Sequence, residues 1–123
     1  MREAALPTIL VVEDEFMLAM ELKAMLEANG WRVVGPAARV SQALELLERE
    51  PPTAALLDVN LAGELVTRLA QELRTARVPF ALASAYDRPE RGDILIGVPN
   101  AGKPTTERRL MAALDEVLKA SWE

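Results

Sequence analysis

The sequence predicts an α/β fold: a doubly wound sheet of five parallel strands with helices on both faces. Short, strongly apolar runs of strand length alternate along the chain with segments whose leucines recur every three or four residues. Strands joined by helix-length crossovers form right-handed βαβ units in a parallel sheet. The polar residues that break this pattern gather just after the apolar runs, where an open parallel sheet binds its ligands.

The first run, Thr8–Val12, is continuous and rich in β-branched residues (T-I-L-V-V), as a strand buried on both faces requires. Leu18, Leu22, Met25 and Leu26 fall on one helical stripe that ends at Gly30, a residue suited to the left-handed C-terminal cap. A second strand is predicted over 31–34. Val40, Ala43, Leu44 and Leu47 mark the next helix, with Ser41 or a near neighbour as its cap and Pro51-Pro52 as its stop. The third strand covers 54–57, Leu65, Leu69 and Leu73 give the third helix, and the fourth strand covers 80–83. Between 87 and 102, two prolines and three glycines leave room only for a short or irregular fourth helix and a brief fifth strand. The last helix runs from about Thr105, with Leu110, Leu114, Val117 and Leu118 at helical spacing. One domain is expected to fill residues 1–123.

Composition narrows the chemistry. The 123 residues carry 14 basic and 19 acidic side chains, a net charge of −5, and neither His nor Cys. Thiol catalysis, thiolate or imidazole metal sites and Ser/His/Asp triads are thereby excluded, and carboxylates must carry any metal. The acidic balance argues against autonomous nucleic-acid binding, which rests on neutralising phosphates. The apolar runs are strand-sized and the N-terminus lacks the apolar core of a signal peptide. No membrane contact and a cytoplasmic location are therefore expected.

Glu13-Asp14-Glu15 follows the first strand, Asp58 and Asn60 the third, Ser84 the fourth and Lys103-Pro104 the fifth, so all are expected on one rim. Clustered carboxylates repel one another unless a cation sits among them. Oxygen-only ligation points to Mg²⁺, which takes one or two carboxylates plus a phosphate oxygen and keeps several waters. These parts suit phosphoryl transfer. Asp58 would be the nucleophile that becomes an acyl phosphate. Asp14, Asp58 and the backbone carbonyl of Asn60 would hold Mg²⁺, with Glu13 acting directly or through water. Lys103 would supply a point charge, and the Ser84 hydroxyl a donor, to phosphate oxygens. In a plainer reading, residues 13–15 are merely first-turn acids favoured by a helix macrodipole.

The motifs V-V-E-D-E, L-L-D-V-N, L-A-S-A and K-P occur in that order, with 44 residues from Asp14 to Asp58, 26 on to Ser84 and 19 on to Lys103. Together they resemble the receiver domain of two-component response regulators over essentially the whole chain. The resemblance implies the flavodoxin-like strand order 2-1-3-4-5, with Asp58 as phosphoacceptor, Glu13 and Asp14 as the acid pair, Ser84 as switch hydroxyl and Lys103 as the family's lysine. It also implies a histidine kinase or histidine phosphotransfer protein as phosphodonor, and an output through protein contact or phosphate buffering. No enzymatic activity is expected beyond Mg²⁺-dependent self-phosphorylation and autodephosphorylation. Asn100 stands where many receivers carry an aromatic residue, three positions before the lysine. Tyr86 lies two residues after Ser84, and P-F-A-L-A-S-A-Y resembles the F-A-T-G-x-Y stretch of a receiver subgroup common in alphaproteobacteria, often single-domain regulators with an unusual fourth helix. D-V-N-L-A-G-E fits the same subgroup, which makes Tyr86 a candidate switch residue.

Phe16, Met17, Met20 and Ala24 lie off the core stripe of the first predicted helix, beside the acid pocket. That apolar patch is expected to dock a helical phosphodonor. Two other readings compete. A phosphorylation-independent pseudo-receiver would keep the pocket as a binding module. A haloacid-dehalogenase-like phosphotransferase would also form an aspartyl phosphate with Mg²⁺, but its motif carries a second Asp two residues after the nucleophile, where this chain has Asn60.

Overall fold

The computed structural model describes residues 6–61, 64–85, 95 and 97–120. Strand β1 (Thr8–Val12) leads into helix α1 (Phe16–Ala28), followed by β2 (Arg32–Ala37) and α2 (Val40–Arg49). After β3 (Ala54–Leu57) come two short strands, β4 (Asn60–Leu61) and β5 (Glu64–Leu65), and then α3 (Thr67–Thr75), β6 (Phe80–Leu82) and α4 (Glu107–Ala120). The order β2-β1-β3-β6 forms one parallel sheet, and β4 and β5 pair antiparallel beside it.

Alternation along the central strands builds two cores. Ile9 and Val11 of β1, with Leu56 of β3, pack against Leu22, Leu26, Leu110 and Leu114 of α1 and α4. Leu10, Val12 and Leu57 pack instead with Ala43, Leu47, Leu69 and Leu73 of α2 and α3. Ile9 to Val12 and Ala54 to Leu57 are each at most 1% exposed, so the continuous apolar runs correspond to strands covered on both faces. Each fully buried leucine in such a core contributes about 2 kcal/mol. Among the described residues, no helix is long and apolar enough to cross a membrane.

The elements depart from expectation where backbone chemistry, not periodicity, decides. β2 does not stop at Val34 but continues to Ala37 through a register shift against β1 between Leu10 and Val12. Gly35 permits this at φ +96°, where a Cβ would lie 2.8 Å from the Ala37 nitrogen and 3.2 Å from the Val11 oxygen, a conformation and a closeness that only glycine tolerates. Helix α2 starts at Val40 with no side-chain cap, and Ser41 lies inside it; Gln42 Oε1 instead accepts the Ala38 N–H at 3.0 Å. Leu65 belongs not to the third helix but to β5, paired with Asn60. Helix α4 begins at Glu107, two residues beyond Thr105, and Thr106 Oγ1 accepts the Arg109 N–H at 3.2 Å in the manner of an N-cap.

The sheet has four strands among the described residues, not five. At the place of the fifth, Leu82 and Asn100 form an isolated parallel bridge. The Leu82 N–H donates to Pro99 O at 2.8 Å, and the Ala101 N–H to Leu82 O at 2.7 Å. Pro99 has no N–H with which to extend the ladder. The predicted fourth helix falls on residues outside the described ones.

Candidate functional site

Three adjacent strands deliver the site. The Asp58 N–H donates to Val12 O at 2.9 Å and the Ala83 N–H to Leu57 O at 2.8 Å. The residues just past β1, β3 and β6 therefore lie side by side at the carboxyl edge of the sheet. Glu13, Asp58 and Ser84 are there, at 3%, 6% and 4% exposure, the buried polar side chains among the described residues. Helix α1 begins only at Phe16 and carries no acid in its first turn, so Glu13 and Asp14 precede the helix and Glu15 is its N-cap residue. Glu13 Oε2 turns back to accept the Glu15 N–H at 3.1 Å.

Lys103 joins the carboxylates. Its Nζ lies 3.2 Å from Asp58 Oδ2 and 3.3 Å from each Glu13 oxygen. Glu13 Oε1 is buried and accepts no hydrogen bond. One oxygen from each of Glu13, Asp14 and Asp58 lies within 4.8 Å of the others, with Asp14 on the exposed side. Burial pushes the Glu13 carboxyl up to about 7, with the Asp58 charge adding to the rise, while the Glu15 N–H and the Lys103 ammonium hold it down. Burial works against the Lys103 charge, but Asp58 and Glu13 outweigh it and raise this lysine above its usual range. A hard, oxygen-only donor set, with one buried carboxylate oxygen that accepts no hydrogen bond, fits a divalent cation. A cavity of about 80 Å³, whose lining includes Glu13, Leu22, Lys103 and Thr105, opens beside this cluster.

Asn60 lies in β4, its backbone paired with Leu65 two residues beyond Asp58. Tyr86 lies outside the described residues. Of the proposed docking residues, Phe16 and Met17 are 70% and 67% exposed, Ala24 is exposed and Met20 is half-buried. Sequence reasoning treated Asn100 only as a missing aromatic. In the structure its side-chain oxygen accepts the N–H groups of Ser84 at 3.0 Å and Gly102 at 2.9 Å, and its side-chain nitrogen donates to Ser84 O at 3.3 Å. A polar residue three positions before the lysine was the only available signal.

A family model described as the response regulator receiver domain matches residues 9–115. The transcriptional regulatory protein PdtaR of Mycobacterium tuberculosis is 31% identical over 88 residues, covering 70% of this chain and 43% of that protein. The phyllosphere-induced regulator PhyR of Methylorubrum extorquens is 35% identical over 86 residues, covering 68% of this chain and 32% of that protein. The chain thus spans less than half the length of both curated relatives. The solution structure of SdrG from Sphingomonas melonis Fr1 matches with a TM-score of 0.82 at 35% identity, covering 94% of this chain and 99% of that one. The order of the sheet, the acids at its carboxyl edge and the match over residues 9–115 agree, and the chain belongs to the response regulator receiver domain family.

Proposed function

We propose that Asp58 accepts a phosphoryl group from a histidine kinase or histidine phosphotransfer protein, and that the resulting acyl phosphate switches protein contacts. The observation that carries this reading is the Asp58 carboxylate, buried, paired with Lys103 and set beside Glu13 and Asp14. A carboxylate oxygen of Asp58 attacks phosphorus. The bond from phosphorus to the donor imidazole nitrogen breaks, and that nitrogen leaves with the electron pair. Hydrolysis reverses the modification: water attacks phosphorus, the bond from phosphorus to the Asp58 oxygen breaks, and the carboxylate leaves with the electron pair as inorganic phosphate and a proton are released. Lys103 pairs with the phosphoryl oxygens as charge moves onto them, and the Ser84 hydroxyl donates to another oxygen. Glu13, Asp14, Asp58 and the Asn60 carbonyl would hold Mg²⁺, which when bound supplies charge neutralisation at the phosphoryl oxygens.

Intact mass after incubation with acetyl phosphate and Mg²⁺ tests this. One phosphoryl adduct is expected, absent in Asp58→Asn and absent when the metal is chelated. A protein that takes up no adduct and binds neither Mg²⁺ nor beryllofluoride would be a pseudo-receiver.

The exposed Phe16 and Met17 at the start of α1, one to two residues from the acidic run, support the docking of the phosphodonor there. Met17→Asp with Met20→Asp is expected to cut the rate of transfer from a phosphorylated donor protein by at least about tenfold, leaving the reaction with acetyl phosphate within about twofold. Equal rates from the donor protein would remove this surface from the proposal.

A further inference from the structure

The buried backbone of Ser84 needs hydrogen-bond partners, and the side chain of Asn100 supplies two of them. Two residues earlier, Leu82 is satisfied on this side by the backbone of Pro99 and Ala101. The next rung would require the chain beyond Ala101 to run on straight, but it turns at Gly102 with φ +84°. The side chain of Asn100 fills the gap. Its amide presents an acceptor and a donor on one rigid plane, as a peptide group does. Its oxygen accepts from Ser84 N–H at 3.0 Å and its nitrogen donates to Ser84 O at 3.3 Å. The same oxygen accepts from Gly102 N–H at 2.9 Å, one residue before Lys103. An aromatic or aliphatic side chain could make none of these three bonds.

We infer that Asn100 is a positioning residue: its amide holds the Ser84 backbone and the Gly102-Lys103 segment as one unit, so that the hydroxyl and the ammonium reach the phosphoryl group on Asp58 together. This rests on the reading of Asp58 as phosphoacceptor. Asn100 is not placed among the cation-holding groups, so its contribution is separable from metal binding.

The test is the rate of phosphoryl incorporation from acetyl phosphate at saturating Mg²⁺, with Mg²⁺ affinity measured alongside. Asn100→Ala and Asn100→Leu are expected to slow incorporation by roughly tenfold while the Mg²⁺ dissociation constant stays within about twofold. In a Ser84→Ala background the Asn100→Ala factor should shrink, because one of the two groups it positions, the hydroxyl, is gone while Lys103 remains. Rates within twofold of wild type, a matching loss of Mg²⁺ affinity, or an undiminished factor in the Ser84→Ala background would each overturn the inference. Amide hydrogen exchange of the wild-type protein gives a reading that needs no variant to fold. Ser84 and Gly102 should be protected, and exchange at the rate of unprotected amides would equally overturn it. A wild-type protein that takes up no phosphoryl group sinks the phosphoacceptor reading and this role with it. A phosphorylated wild type beside an unaffected Asn100→Ala sinks this role alone.

Discussion

Lys103→Met is expected to lower the unfolding free energy of the metal-free protein by roughly 2–4 kcal/mol at pH 8. The ammonium is the shared partner of two carboxylates whose side chains are 1% and 7% exposed, while its own is 23% exposed. Methionine preserves much of the length and the packing but leaves both carboxylates uncompensated. Removing one partner of a buried pair costs more than the pair itself contributes. Its partial exposure places the expected cost below that of a fully buried ion pair. The deficit should be smaller at pH 6, because Glu13, already pushed up to about 7, can take a proton in place of its lost counter-ion. Urea denaturation at the two pH values, with and without Mg²⁺, checks this. An unchanged midpoint at pH 8 would show that Lys103 does not compensate the pair.

Stabilisation by Mg²⁺ is expected to grow as pH rises from about 5.5 to 8. The sign follows from Glu13. Its folded-state value of about 7 lies above the ordinary 4.5, so between these values the folded protein holds a proton that the unfolded chain has released. Stability drawn from this group is therefore fully present below about 4.5 and lost as pH rises through about 7. A cation competes with the same proton for the same carboxylate, so its affinity rises over the window in which the proton leaves. The raised Lys103 titrates above its ordinary 10.5, outside this window. Saturation about a hundredfold above the dissociation constant corresponds to about 2.7 kcal/mol, a readable shift in melting temperature at pH 8 and a clearly smaller one at pH 5.5. Equal shifts at both pH values would mean that Glu13 takes no part in holding the ion.

The strands and the site were legible for different reasons. Residues 8–12 announce a doubly buried strand because every position there is apolar or β-branched, and the structure puts β1 on those residues. The carboxylates and the lysine were legible through spacing, because a parallel sheet brings the ends of its strands to one edge. What escaped was decided by single backbone facts. The predicted second strand stops at Val34, yet the positive φ of Gly35 lets β2 continue through a bulge to Ala37. Leu65 matches a helical period with Leu69 and Leu73, but pairing with Asn60 captures it for β5. A brief fifth strand is expected just before Lys103, but Pro99 limits its ladder and the Asn100 side chain takes the place of the next backbone rung. Periodicity records which face a residue shows; it carries no information about a side chain acting as backbone.

The shared lysine has an electrostatic consequence for the order of events. With Glu13 ionised, three carboxylates and one ammonium leave the pocket short of two positive charges, the charge of one divalent ion. Electroneutrality thus favours divalent over monovalent cations without any need for a closed cage. A metal-free pocket of that charge would repel the anionic phosphodonor proposed above, so the ion would be expected first and the donor second. In the proposed phosphorylation, the single negative charge of Asp58 would grow toward two. The neutral pocket then acquires an excess that Lys103, already spent on Glu13 and Asp58, cannot absorb alone. In the proposed reaction that excess would draw on the Ser84 hydroxyl at the carboxyl edge of the same sheet, so the imbalance itself would supply the pull on that residue.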